Sequence, residues 1–254
     1  MRRDVIEARA VDHRYEGHAG WVHSLQGFEL RIPENEFLCI LGPSGCGKST
    51  FLKIVAGLIR PSAGEVRLNG QAIVEPGLDR GVVFQEHALF PWLTVLKNVE
   101  FGLKMGGWRK DAARQRALHV LRIVGLADYA DLYPYQLSGG MKHRAAVARA
   151  WALTSAALLL MDEPFSAVDA INRMALQDHL IATWLSEQRT VLYVTHDIDE
   201  AVYLADRIAI MKPSPGRIAH EVKVDLARPR DRNSHEFAAY KARITAEMQR
   251  LAAH

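Results

Sequence analysis

Residues 42–50 read GPSGCGKST, three glycines closing on a lysine and two hydroxyls. That pattern fits phosphate chemistry. Glycines let the backbone approach an anion because no Cβ stands in the way, and N–H groups at a helix N-terminus attract negative charge. In such a loop Gly42, Pro43, Ser44, Gly45, Cys46 and Gly47 would wrap a polyphosphate. Lys48 would neutralise its outer phosphates, and the Ser49 hydroxyl, with Thr50 beside it, would meet a divalent cation. Cys46 lies beside the lysine, where a thiolate is favoured. Further on, ALLLMDEP at 157–164 delivers Asp162 and Glu163 from an apolar run. Asp162 suits a water-mediated Mg²⁺ contact and Glu163 a general base for an attacking water. Alone, two acids after a strand more often mark a solvated loop or a helix cap. Together with the glycine loop they describe a site that hydrolyses a nucleotide.

These groups need a frame that presents strand ends side by side. Short apolar runs at 37–41, 81–84, 157–161, 190–195 and 207–211 are bounded by Gly, Pro or charge, as strands covered on both faces should be. They alternate with helical stretches, which predicts an α/β fold around a largely parallel sheet. The segments at 5–11, 24–32 and 65–68 alternate apolar with polar residues and predict an antiparallel edge layer. No strand pattern occurs between Glu86 and Ser138, and Ala113, Ala117, Val120, Leu121 and Val124 form a helical stripe there. The expectation is one domain. Its core runs over about 4–85 and 158–224, with a helical insertion at about 86–157 and a short helical tail from about 225 to 254.

Composition excludes several classes. Hydrophobic residues make up 49% of the 254 and charged residues 24%, a globular balance rather than a disordered one. The uncharged run before Asp162 spans 150–161, shorter than the roughly 18 apolar residues that read as a membrane span. Acids in MRRDVIEAR interrupt any secretion signal, so a cytoplasmic chain is expected. Two cysteines make neither a disulfide framework nor a zinc site. A net charge of +3 is too small to imply nucleic-acid binding.

Between the two motifs lies LSGGMKHRAAVARA, starting at Leu137, which resembles the signature of ATP-binding-cassette (ABC) ATPases. Gln85 in VVFQEH, SAVD at 166–169 and His196 in YVTHD follow in that family's order. The resemblance covers about 4–220 and implies a P-loop core with an inserted helical subdomain, binding ATP and Mg²⁺. By the same resemblance Gln85 touches Mg²⁺ and the lytic water, and His196 hydrogen-bonds the γ-phosphate. Ser138, Gly139 and Gly140 serve the ATP of a second subunit, and Asp169 meets that subunit. Tyr15 is the match for the adenine-stacking aromatic, with Trp21 as its rival across a long first hairpin. Met141 departs from the family's usual Gln. The implied active unit is a head-to-tail dimer of identical or paralogous chains.

The resemblance favours a transporter motor over the soluble relatives of DNA repair or cluster assembly. HALFPWLTVLKNVEFGL exposes Phe90, Pro91 and Trp92 just after Gln85, where transporter ATPases form a groove for a membrane permease. The alternative is that these rings pack inside the insertion. LFPWLTVLKNV and LSGGMKHR resemble the nitrate, sulfonate and taurine importers. That implies a chain on the cytoplasmic face of the membrane, held by permease subunits, with a binding protein as indirect partner and no nucleic acid. In the tail, Phe237, Tyr240, Ile244, Met248 and Leu251 share one helical face, which predicts a packed terminal helix, or else a dimer or membrane contact.

Overall fold

The computed structural model describes residues 3–17, 20–84, 88–153, 158–166, 168–213 and 215–252. In chain order the elements are β1 (Asp4–Gly17), β2 (Gly20–Pro33), β3 (Phe37–Leu41), α1 (Lys48–Val55), β4 (Ala63–Leu68), β5 (Gln71–Ala72), β6 (Arg80–Val83), α2 (Val95–Met105) and α3 (Lys110–Ile123). They continue with α4 (Gly139–Ala152), β7 (Leu158–Asp162), α5 (Ala170–Glu187), β8 (Thr190–Thr195), α6 (Ile198–Leu204), β9 (Arg207–Lys212), β10 (Arg217–Lys223) and α7 (His235–Ala252). The five strands expected from apolar runs are β3, β6, β7, β8 and β9, each within a residue of its expected bounds. The chain forms two compact units, Met1–Gly77 with Arg189–His254, and Leu78–Gln188.

The first unit holds two sheets. Strands β2, β1, β4 and β5 form an antiparallel sheet in that order. In it Ile6 faces both Ile32 and Leu68, so one fully buried side chain is packed from both neighbours. Strands β9, β3 and β8 run parallel, and β10 returns antiparallel along β9. All five residues of β3 are buried, as a central parallel strand requires. Helix α1 follows β3 and buries Phe51 against Phe28 of β2, with ring centroids 4.3 Å apart. Helix and antiparallel sheet are thereby fastened beneath the glycine loop, and removing such a ring costs about 3–5 kcal/mol.

The second unit pairs β6 with β7 in parallel, and the other elements among its described residues are helices. At Gly81 a Cβ would lie 2.9 Å from both the Ala150 carbonyl and Leu159 Cδ2, so α4 packs directly on β6. The predicted stripe of α3 is buried at Ala113, Ala117, Val120 and Leu121. Helices α3, α4 and α5 meet on one ion pair. Arg116 grips both oxygens of Glu187 at 2.8 and 3.0 Å and donates to the Trp151 and Ala152 carbonyls, and Trp151 Nε1 also reaches Glu187. A two-pronged pair of this kind fixes angle as well as distance.

Candidate functional site

The glycine loop leaves β3 at Leu41 and enters α1 at Lys48. Gly45 and Gly47 have φ of +79° and +98°, the left-handed region that glycine enters without cost. Space adds a second constraint at two positions. A Cβ at Gly47 would lie 2.6 Å from the Ser24 carbonyl, and one at Gly42 would lie 2.8 Å from both Cys46 Sγ and the Met211 carbonyl. Pro43, Ser44 and Gly45 form the exposed crest, while Cys46, Gly47 and Lys48 are buried and Ser49 and Thr50 half-buried. Lys48 is only 4% exposed, and its ammonium donates to the Gly42 and Pro43 carbonyls at 2.8 and 2.9 Å. The loop is folded around its own cation. Cys46 lies wholly inside this fold, its sulfur 4.0 Å from the Lys48 ammonium, so burial shields the thiol that its neighbours would otherwise activate.

Leu41 pairs with Thr195 across β3 and β8, so Gly42 and His196 leave the same carboxyl edge of the sheet, where parallel sheets receive ligands. His196 is exposed there. Behind it the Thr195 hydroxyl donates to Glu200 and accepts the Asp197 amide, and Asp197 caps α6 by accepting the Glu200 amide. The histidine therefore stands at a joint pinned on both sides.

The first hairpin carries both candidate adenine platforms. Tyr15 pairs with Val22 and Trp21 with Glu16, so the two rings project from opposite faces. The Trp21 ring is 60% exposed but lies under the Arg14 guanidinium at 4.9 Å. Tyr15 is 51% exposed on the other face.

In the second unit β7 delivers Asp162 and Glu163 at its carboxyl end, both half-buried. Glu163 has φ of +43°, a region that costs a side-chain-bearing residue and persists where the surroundings over-determine it. Those surroundings are visible. The Ser166 amide and hydroxyl both donate to the Glu163 carbonyl, and Phe165 is buried with its ring 4.9 Å from that of His143. Ser138 caps α4, its hydroxyl accepting the Met141 amide at 3.3 Å. Because the Met141 backbone makes this bond, the cap does not depend on the side chain at that position. Asp169 caps α5, accepting the Asn172 amide and side-chain amide at 3.1 and 2.8 Å, and these bonds hold its carboxyl below the usual carboxylate range. Between the two caps opens a cavity of about 400 Å³, lined by Ser138, Gly140, Asp169 and Asn172 among others.

Trp92 is 70% exposed, its ring tilted against a half-buried Phe90 with centroids 5.5 Å apart, and Phe90 also meets Phe101 at 4.7 Å. The buried Asn98 holds this segment in place. Its Oδ1 accepts the Phe90 amide, and its Nδ2 donates to the Phe90, Leu93 and Thr94 carbonyls. Asn98 and Asn172 carried no signal in the sequence, because an amide that ties a loop to its own helix follows no periodicity. Gln85 lies outside the described residues.

A family model described as ABC transporter matches residues 25–166. An uncharacterised ABC transporter ATP-binding protein of Methanocaldococcus jannaschii is 50% identical over 91% of the chain and 86% of its own length. The aliphatic sulfonates import ATP-binding protein of Bacillus subtilis is 44% identical over 89% and 87%. The nitrate import ATP-binding protein of Synechocystis is 40% identical over 95% and 90%. Among solved structures, the dimeric post-hydrolysis state of an ATP-binding cassette bound to ADP and Pi superposes with a TM-score of 0.76 at 33% identity, covering 86% of this chain and 98% of that one. The chain belongs to the ABC transporter family. It is an ATP-binding cassette with a P-loop core, and an ATPase.

Proposed function

We propose that this cassette is the ATP-hydrolysing motor of a membrane importer for a small oxyanion, such as nitrate or a sulfonate (taurine included). The observation that carries this reading is its 44% identity, along 89% of the chain, with a sulfonate import ATP-binding protein. The domain reading belongs to the same proposal: a core at about 4–85 and 158–224, an insertion at about 86–157, and a tail beyond.

In this reading the loop from Gly42 to Thr50 wraps the phosphates and the Lys48 ammonium leaves its carbonyl partners to compensate their charge. The Ser49 hydroxyl and Asp162 carboxylate are hard oxygen donors, the kind Mg²⁺ takes, and Gln85 joins them. Bound Mg²⁺ supplies charge to the phosphate oxygens. Glu163 takes the proton of the attacking water, and His196 contacts the γ-phosphate. Trp21 is already covered by Arg14, which favours Tyr15 for the adenine. Ser138, Gly139 and Gly140 serve the ATP of a second copy or close paralogue, and Asp169 meets that partner. The Phe90–Trp92 surface receives a permease segment, since exposed aromatics make strong anchors. The permease would hold the motor on the cytoplasmic face of the membrane, beneath a binding protein that it never touches.

A strain lacking the gene, grown with alkanesulfonate, taurine or nitrate as sole sulfur or nitrogen source, tests the substrate class. Growth lost on one of these and restored by the intact gene supports the reading, and unchanged growth on all of them removes it. Purification from detergent-solubilised membranes should bring down an integral membrane protein, and Trp92→Ala should reduce that recovery while ATP binding is kept. Recovery of nucleic acid or a cluster scaffold instead would establish the soluble alternative.

A further inference from the structure

Helix α6, the seven residues that follow His196 and its cap, is too short to hold itself. What holds its far end is the C-terminal segment. Arg230 is 6% exposed, and its Nη1 donates to the Val202, Tyr203 and Ala205 carbonyls at 2.6, 3.2 and 2.7 Å. Its Nη2 and Nε reach the Val224 and Leu226 carbonyls at 3.2 and 3.3 Å. Arg228 donates to the Leu204 carbonyl and pairs with Asp206. The last carbonyls of a helix have no partner within it, and here those of Val202, Tyr203 and Leu204 are all taken by guanidinium groups. A cation at this end is also favoured by the helix dipole. Burial, with the Arg228 charge nearby, pulls the Arg230 guanidinium down to about 10, so it remains charged at neutral pH. Arg232 lies 3.3 Å over the Tyr203 ring, and Lys241 of α7 pairs with Asp199 in the first turn of α6 at 2.5 Å.

We infer that Arg230 is a positioning residue for ATP hydrolysis: with Arg228 it clamps the carboxyl end of α6, and the clamped helix fixes His196 at its amino end. The C-terminal segment is then a brace on the γ-phosphate contact rather than inert packing. This rests on the proposed role of His196. Lysine at position 230 would keep the charge but lose the fork that spans the carbonyls at the end of α6 and those of Val224 and Leu226 in the segment after β10.

The test is steady-state ATP hydrolysis by the full-length chain, with Mg-ATP affinity measured separately by calorimetry. Arg230→Lys should lower kcat about tenfold or more, since small displacements of a positioned group cost that much. KM and affinity should stay within about twofold, the signature of an effect confined to the transition state. The decisive comparison is the His196→Ala background, where Arg230→Lys should cost nothing further, because both changes act through one group. Losses that multiply in the double variant, or wild-type kcat in Arg230→Lys, would overturn the brace. Wild-type turnover in His196→Ala would instead overturn the reading of the histidine. Should Arg230→Lys not fold, Lys241→Ala applies the same comparison at an exposed pair, with a smaller loss expected and the same non-additivity required.

Discussion

Two glycine-rich turns open helices in this molecule, and they are built in opposite ways. At the first, before α1, Gly42 and Gly47 are crowded by Cys46, Met211 and Ser24, and Lys48 is buried within the loop. At the second, before α4, a Cβ on Gly139 or Gly140 would meet nothing within 4 Å, Ser138 is exposed, and a cavity of about 400 Å³ lies alongside. In the first loop Gly42 and Gly47 answer to the chain's own atoms, and Gly45 to its left-handed backbone. The second answers to nothing in its own surroundings. A turn whose glycines are not required by its neighbours leaves room for something that arrives, and in the proposed function that is the nucleotide of a second subunit. In that reading the phosphate loop is a finished cradle, and the signature turn is half of a site.

The largest effect expected concerns the step that neither turn performs. Glu163→Gln keeps shape and hydrogen bonding but removes the proposed base, so hydrolysis should fall by about two orders of magnitude or more. ATP binding should persist, and the variant should collect as an ATP-loaded dimer in size-exclusion chromatography with ATP and not with ADP. Hydrolysis near the wild-type rate would take Glu163 out of the mechanism and leave its strained backbone without a role.

The contrast between the turns is sharpened by giving each the same methyl group. Gly47→Ala meets both a left-handed φ and a carbonyl at 2.6 Å, so it should abolish tight ATP binding and lower the melting temperature by several degrees. Gly140→Ala meets open space and should leave melting and ATP affinity unchanged while turnover falls, because in the proposed dimer the added methyl would crowd the space meant for the partner's nucleotide. Equal loss of stability in both variants would break the comparison.

Smaller effects are expected at the first hairpin. Tyr15→Ala should raise KM for ATP by about tenfold, the lower part of what stacking on a base contributes. Trp21→Ala should change it little, since that ring faces the other way under Arg14. The reverse result would exchange the two assignments.

Legibility in the sequence followed the same division. Strands such as β3 and β8, buried along their whole length, were readable to the residue because burial on both faces leaves a continuous apolar run. Strand β10 was not. RIAHEVK is polar and mostly exposed, and as an edge strand it has one neighbour to satisfy. The glycine loop was legible because its spacing is dictated by phosphate geometry. The left-handed backbone of Glu163 and the shielding of Cys46 were not, since both follow from how a short loop folds back on its own neighbours rather than from residue spacing. Nor was the clamp at Arg230, because an arginine that collects carbonyls leaves no periodic trace. The predicted face of α7 was legible only as a stripe; Phe237 and Ile244 are fully buried, which gives the packed terminal helix.

The claim that the signature turn is half of a site is tested most directly by ATP turnover per chain as the protein is diluted. Turnover should fall steeply over about a hundredfold dilution, as a mass-action dimer requires, while ATP affinity per chain stays constant. Gly140→Ala should bind ATP equally and show little turnover at any concentration. Full turnover in dilute wild-type protein, independent of concentration, would mean that each chain completes its own site and would contradict the account.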